Sequence, residues 1–228
     1  IPENSSPETK YGLPANVQYC RKCVITNQRP NSAVEYDHVP NSKKKTIFFD
    51  ENGICDACRF TEQKKSTINW SDRDKQLREL CDKHRKNDGS YDCIVPGSGG
   101  KDSFYVAHQL KYKYGMNPLC VTITPALPLT LGEKNLRAFV ESGYNHISIN
   151  PDYEAMRTLN KTGFIEMGFP YYGWLIAIST ACIKTAVNFK IPLIFYGEDG
   201  EVEYGGTTES KDKPLFDIDY IKAKYLEG

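Results

Sequence analysis

The chain has 228 residues, enough for one medium domain and a small module, and its 29 Lys and Arg are balanced by 29 Asp and Glu. Zero net charge leaves no global basic footprint for nucleic acid or an acidic membrane surface, and no apolar run approaches the ~20 residues of a membrane span. The opening stretch Ile1-Pro2-Glu3-Asn4-Ser5-Ser6 is polar, carries no signal-peptide pattern and does not begin with Met, so it reads as a processed or partial chain.

Residues 1–19 hold Pro2, Pro7, Gly12 and Pro14 with few apolar positions, and predict a flexible leader. Residues 20–62 show little periodicity and contain two C-x-x-C pairs, Cys20/Cys23 and Cys55/Cys58. Between the pairs, the turn-rich Pro40-Asn41-Ser42-Lys43-Lys44-Lys45 predicts a solvated hairpin tip, followed by a strand-like Thr46-Ile47-Phe48-Phe49. Residues 63–90 read as a connecting helix, with Ser71 and Asp74 as a capping box, Leu77, Leu80, Cys81 and His84 at helical spacing, and Gly89 as the stop.

From residue 91 the pattern alternates. Strands are predicted at 91–95, 118–124, 146–149 and 192–196, and helices at 103–114, 132–142, 152–166 and 174–189. Such alternation implies right-handed crossovers and a parallel, doubly wound α/β sheet over 91–228, with ligands beyond the carboxyl ends of the strands. Cys81, Cys93, Cys120 and Cys182 fall within apolar patterns and read as small core residues. Cysteines grouped in this way suit a reducing compartment, hence the cytoplasm, better than an extracellular disulfide scaffold.

Two C-x-x-C turns bring four thiolates to one tetrahedral ion, so Cys20, Cys23, Cys55 and Cys58 are the expected ligands of a structural Zn²⁺. The competing reading is a set of redox or disulfide cysteines. His38 lies in the spacer as a substitute ligand, although four cysteines already suffice.

The stretch Pro96-Gly97-Ser98-Gly99-Gly100-Lys101-Asp102-Ser103 follows the first strand and precedes a helix. It fits neither a Walker A loop, because Asp102 follows Gly100-Lys101, nor the dinucleotide fingerprint, because Asp102 occupies its last glycine position. Its glycines nevertheless let the backbone present N–H groups inward, the following helix aims its positive end at the same spot, and Ser98, Lys101 and Ser103 add donors. Asp102, surrounded by donors, suits Mg²⁺ or bracing of the loop better than phosphate contact. The alternative is a glycine-rich turn with no ligand.

Ser98-Gly99-Gly100-x-Asp102-Ser103 resembles the PP-loop of ATP pyrophosphatases, of the adenine nucleotide alpha hydrolase-like fold. That resemblance implies that Pro96 to Ser103 hold the β,γ-pyrophosphate of ATP, leaving the α-phosphate open so that AMP passes to the substrate. Thr124, at a strand end, would flank adenine. A wider set of residues resembles the N-acetyl sugar amidotransferases of bacterial surface-glycan synthesis, including lipopolysaccharide and O-antigen. The set comprises 19–24, Arg29-Pro30, 49–58, Ile68-Asn69-Trp70, 91–103, Val121-Thr122, Leu127-Pro128, 191–198 and Glu203-Tyr204-Gly205-Gly206. Members of that family continue well beyond the position of Gly206, which implies that part of the substrate site lies outside this chain.

The family resemblance implies conversion of an acetamido group on a nucleotide-linked sugar to an acetamidino group. ATP adenylates the amide oxygen, pyrophosphate leaves, ammonia attacks the activated carbon and AMP departs. A separate glutaminase, with ammonia channelling, would supply the ammonia, since no Cys/His pair here reads as a glutaminase nucleophile site. Asp102, Lys101 and Glu198 are the expected catalytic residues. Glu198, just past the last strand, would bind Mg²⁺ or accept a proton, or else is a plain surface carboxylate. Glu203, Tyr204, Gly205 and Gly206 are expected to contact sugar or phosphate. Trp174, in a cluster with Tyr171 and Tyr172, would stack on a sugar or base, or simply pack. A tRNA-thiolating enzyme shares the loop and a cysteine module, but a neutral chain suits tRNA poorly, and 196–200 read Tyr-Gly-Glu-Asp-Gly instead of an acidic Gly-His-Asn-type motif. A zinc-ribbon scaffold with a degenerate nucleotide loop is the non-enzymatic alternative.

Overall fold

The structure, a computed structural model, describes residues 7–29, 43, 46–197, 219 and 222. Two compact units divide the chain, one formed by 1–69 with 199–228 and the other by 70–198. Among the described residues no helix is long and apolar enough to cross a membrane.

The first unit is organised by its cysteines. A helical turn, α1 (Pro7–Lys10), precedes a segment that is tied down where a loose leader is expected. Asn27 Nδ2 donates to the Asn16 carbonyl at 2.9 Å, and the Asn27 carboxamide oxygen accepts from the Gln18 N–H at 3.0 Å. Asn27 is buried, and these bonds satisfy its side chain. Where Thr46–Phe49 is expected as a strand, Thr46 and Phe49 make isolated bridges, that of Phe49 antiparallel to Cys55. Helix α2 (Asp56–Thr67) buries no residue and so lacks the apolar stripe that would have marked it in the sequence. Cys55 caps it instead, its Sγ accepting the Cys58 N–H.

The second unit is mixed α/β. It begins with α3 (Trp70–His84), so the stretch 63–90 contains two helices broken near Ile68 and Asn69. Ser71 lies inside α3 rather than capping it. Asp74 instead accepts from Lys113 Nζ (2.7 Å), the Tyr114 hydroxyl (2.7 Å) and Arg78 Nε (2.8 Å), donors that hold its carboxyl well below the usual carboxylate range. The helix ends at His84, five residues before Gly89, whose positive φ of 81° serves the turn that follows.

Strands β1 (Cys93–Pro96), β2 (Pro118–Ile123) and β3 (Asn145–Ile149) form a parallel sheet in the order β1-β2-β3. Ile94 is opposite Leu119, and Thr122 is opposite Ser148. On its other side β1 meets the segment expected as the last strand: the Ile94 N–H donates to the Leu193 carbonyl, and the Phe195 N–H to that of Ile94, both at 2.9 Å. Helices α4 (Lys101–His108) and α5 (Thr130–Glu141) make the crossovers, and α6 (Tyr153–Met167) and α7 (Tyr172–Phe189) lead back to β1. Helix α4 ends in a π-helical turn, Gln109–Lys113, within the span expected as one α-helix.

Alternation along the strands divides the core. Cys93, Val95 and Cys120 pack with Cys81 of α3, Ala107 of α4 and Phe139 of α5. Ile94, Leu119 and Val121 pack with Cys182 and Ala186 of α7. Continuous apolar runs in β1 and β2 therefore mean burial on both faces. The four single cysteines are all buried core residues, as their pattern predicts.

Candidate functional site

The loop leaves β1 at its carboxyl end, with chain hydrogen-bonded to β1 on both sides. β2 pins its first residue twice, since the Gly97 N–H donates to the Val121 carbonyl at 2.9 Å and the Thr122 hydroxyl donates to the Gly97 carbonyl. His146 Nε2 lies 2.8 Å from the same Thr122 oxygen. Burial pushes the His146 pKa below its usual value, favouring the neutral ring.

Two glycines let the loop close. Gly99 has φ +80°, and a Cβ there would lie 2.6 Å from Leu136 N and 2.8 Å from Leu136 Cα on α5. Gly197, just beyond the segment paired with β1, lies so near the start of α4 that a Cβ would come within 2.9 Å of Ser103 N and 3.0 Å of Asp102 C. Ser98, Gly100, Lys101 and Asp102 are exposed at this mouth. Lys101 Nζ lies 2.7 Å from both oxygens of Asp102, and the Ser103 hydroxyl donates to the Gly100 carbonyl at 3.2 Å.

Of the other expected contacts, Pro96 ends β1, and Thr124 sits just past β2, its hydroxyl 3.1 Å from that of Ser148. Trp174 packs with the α7-side cluster, and its buried indole N–H has no partner. Tyr172 lies over Gly163 of α6, while Tyr171 is exposed, so the three aromatic residues have different surroundings. Glu198, Glu203, Tyr204, Gly205, Gly206, His38 and all of the lysine-rich tip except Lys43 lie outside the described residues. His146, Thr122 and Gly197 have structural roles beside the loop that sequence reasoning did not assign. The link from His146 to Thr122 depends on strand register, which carries no local signal.

The second candidate centre belongs to the first unit. The four Sγ atoms of Cys20, Cys23, Cys55 and Cys58 lie within 4.8 Å of one another, with Cys23 and Cys55 3.6 Å apart. Tetrahedral Zn–S bonds of about 2.3 Å require sulfurs about 3.8 Å apart, so the cluster can hold a structural metal such as zinc. Backbone N–H groups of Lys22 and Cys55 donate to Cys20 Sγ at 3.4 and 3.3 Å. Burial raises the Cys20 thiol pKa, but backbone donors from Cys55, Cys23 and Lys22 outweigh it and bring it down to about 6. Burial pushes the Cys55 and Cys58 thiols up.

The turn after Cys23 closes through Val24, whose N–H donates to the Cys20 carbonyl at 3.0 Å. Val24 has φ 57° and is 75% exposed. A branched residue in this region costs about 1–2 kcal/mol, whereas glycine adds about 0.5–1 kcal/mol of chain entropy. Val24→Gly is therefore expected to stabilise the metal-loaded protein by up to about 1 kcal/mol. The check is a thermal melt with excess zinc, where a lower midpoint would contradict the strain assignment.

No protein-family model matches the chain. An uncharacterized protein of Methanocaldococcus jannaschii is 36% identical over 80 residues, which are 35% of this chain and 28% of that protein. The similarity thus covers little more than a quarter of that relative's length, and its name carries no activity.

Proposed function

We propose that the chain is an ATP-dependent, AMP-forming amidotransferase that converts an N-acetyl group of a nucleotide-linked sugar to an acetamidino group. The supporting observation is the position of the loop 96–103 at the carboxyl end of β1, between two parallel neighbours. In this reading the sheet is doubly wound, and the β1 edge, where the strand order reverses, is the crevice in which such sheets bind nucleotides. Clusters on both sheet faces support that architecture.

Ser98, Lys101, Ser103 and the N-terminus of α4 offer donors and positive potential to the outer phosphates. Holding those two phosphates leaves the α-phosphate exposed to the amide oxygen. The amide is a poor electrophile, and adenylation turns its oxygen into a leaving group for ammonia attack. The protein contributes chiefly position and electrostatics. Among the described residues, the one group of three or more metal-ligand side chains is the cysteine cluster, and Asp102 is an exposed carboxylate at the loop. The ion would arrive with the nucleotide, as Mg²⁺ commonly does, and Asp102 would supply one carboxylate.

The cysteine cluster holds structural zinc in this reading. Burial raises the thiols of Cys93, Cys120 and Cys182, the last two to about 12 and about 11, which suits inert core residues rather than a glutaminase nucleophile. In this reading ammonia comes from a partner glutaminase. The sugar acceptor rests on the sequence resemblance alone.

The test incubates the protein with ATP, ammonia and a panel of nucleotide-linked diacetamido sugars. AMP and pyrophosphate should appear together with a product about one mass unit lighter, as NH replaces oxygen. Ser98→Ala and Asp102→Ala should each cut AMP release by about a hundredfold or more. ADP as the spent nucleotide, or full turnover in either variant, would refute the assignment. AMP formation with tRNA but with none of the sugars would favour thiolation.

A further inference from the structure

We infer that His146 is a positioning residue for the phosphate loop, acting through Thr122 to fix the orientation of the Gly97–Ser98 peptide. This inference rests on the nucleotide reading of that loop. The geometry of the link stands apart from it.

Proton bookkeeping along the three groups leaves one arrangement. The Gly97 carbonyl can only accept, so the Thr122 hydroxyl hydrogen is committed to it. The Thr122 oxygen then accepts from His146 Nε2, which must carry a hydrogen. A neutral ring protonated at Nε2 meets this requirement, and burial favours the neutral ring. The Gly97 N–H is already committed to Val121, so both polar ends of this residue are tied to β2.

Peptide planarity carries the effect into the loop. None of the described peptide bonds is cis, and in a trans unit the carbonyl and the following N–H point in opposite directions. Holding the Gly97 carbonyl against Thr122 therefore turns the Ser98 N–H away from β2. That N–H is the first backbone donor of the glycine turn. With Thr122 left free to rotate, its hydroxyl could turn from Gly97, and the peptide would lose its orienting partner. His146 occupies the lone pair that would otherwise compete for other donors. It touches no phosphate in this scheme and prepares the donor that does.

The test uses the full chain, isotope-labelled and loaded with zinc, in four variants. Thr122→Val removes the hydroxyl at similar size, Thr122→Ser restores it, His146→Phe removes the ring donor and His146→Gln keeps a terminal N–H. Nuclear magnetic resonance of the nucleotide-free protein should find His146 protonated at Nε2, and should find the Ser98 amide signal displaced in Thr122→Val and His146→Phe. ATP affinity should fall roughly threefold to tenfold in those two variants, the scale of one lost hydrogen bond, and stay within about twofold in the other two. The double variant should bind little worse than either single one, because both changes break the same link. A His146 ring protonated only at Nδ1, an undisplaced Ser98 signal, or multiplying losses would overturn the inference. Should His146→Phe fail to fold, the His146 ring-proton signal, compared between wild type and Thr122→Val, still decides whether the ring donates to Thr122. Should no variant bind ATP, wild type included, while the ring and amide signals behave as expected, the nucleotide reading falls and the positioning link stands.

Discussion

Gly99→Ala is expected to reduce AMP release by about a hundredfold, and to destabilise the sheet unit by about 2–4 kcal/mol. Two penalties combine at this position. The φ of +80° is strained for any residue with a Cβ, and the added carbon would meet backbone rather than a side chain that could rotate away, at 2.6 Å from Leu136 N. The loop or α5 must therefore shift, and a displacement near 1 Å is enough to spoil the donors around a phosphate. Gly132, also on α5, provides the control. A Cβ there meets nothing within 4 Å, so Gly132→Ala should leave activity unchanged and add about 0.5–1 kcal/mol of helix stability. Thermal melts and AMP release on both variants check the pair. Equal behaviour would mean that α5 does not abut the loop. Failure of Gly99→Ala alone, with its fold retained, would identify the close approach as the feature that shapes the site.

The parts of the fold visible in the sequence were those with a strong apolar rhythm or punctuation. Strand β2 was expected at 118–124 and spans Pro118–Ile123, with all six residues buried. Helix α6 was expected from Asp152, which caps it by accepting the Ala155 N–H at 2.8 Å. The first part of helix α2, before residue 63, has no signal in the sequence because the helix buries nothing and is anchored by Cys55, a residue whose spacing points to metal rather than helix. The last expected strand forms only a single bridge, at Ile194, although its hydrogen bonds to β1 are of good length. The candidate site divides the same way. Glycine and hydroxyl density marked 96–103, whereas His146 and Thr122 come together only through the pairing of β2 with β3, and the close approach of Gly197 only through the return of the chain to β1. Long-range register is a tertiary outcome, and neither residue carries a local signature of it.

Removing the metal is expected to have the largest effect on the first unit. Among the described residues its buried apolar cluster is Ile47 with Cys20 and Cys55, supported by partly covered neighbours such as Ile25, Phe49 and Ile54. Two of those three buried residues are themselves expected metal ligands, and four-thiolate zinc sites contribute about 10–16 kcal/mol of apparent binding energy near neutral pH. Cys55→Ser should be especially damaging. Cys55 is fully buried, its N–H donates to Cys20 Sγ, and its own Sγ caps α2. The variant loses a metal ligand and a helix cap together. Excess chelator on the wild type, or Cys55→Ser with zinc present, should abolish bound zinc and the helical signal of Asp56–Thr67. The cooperative transition of the sheet unit should persist, because that unit packs around two apolar clusters of its own. Stoichiometric zinc by elemental analysis, with circular dichroism before and after chelation, provides the measurement. A protein that keeps α2 and an unchanged melt after losing its metal would show that the cysteines close this unit without an ion. Retention of zinc by Cys55→Ser would mean that the ligand set is not these four thiolates.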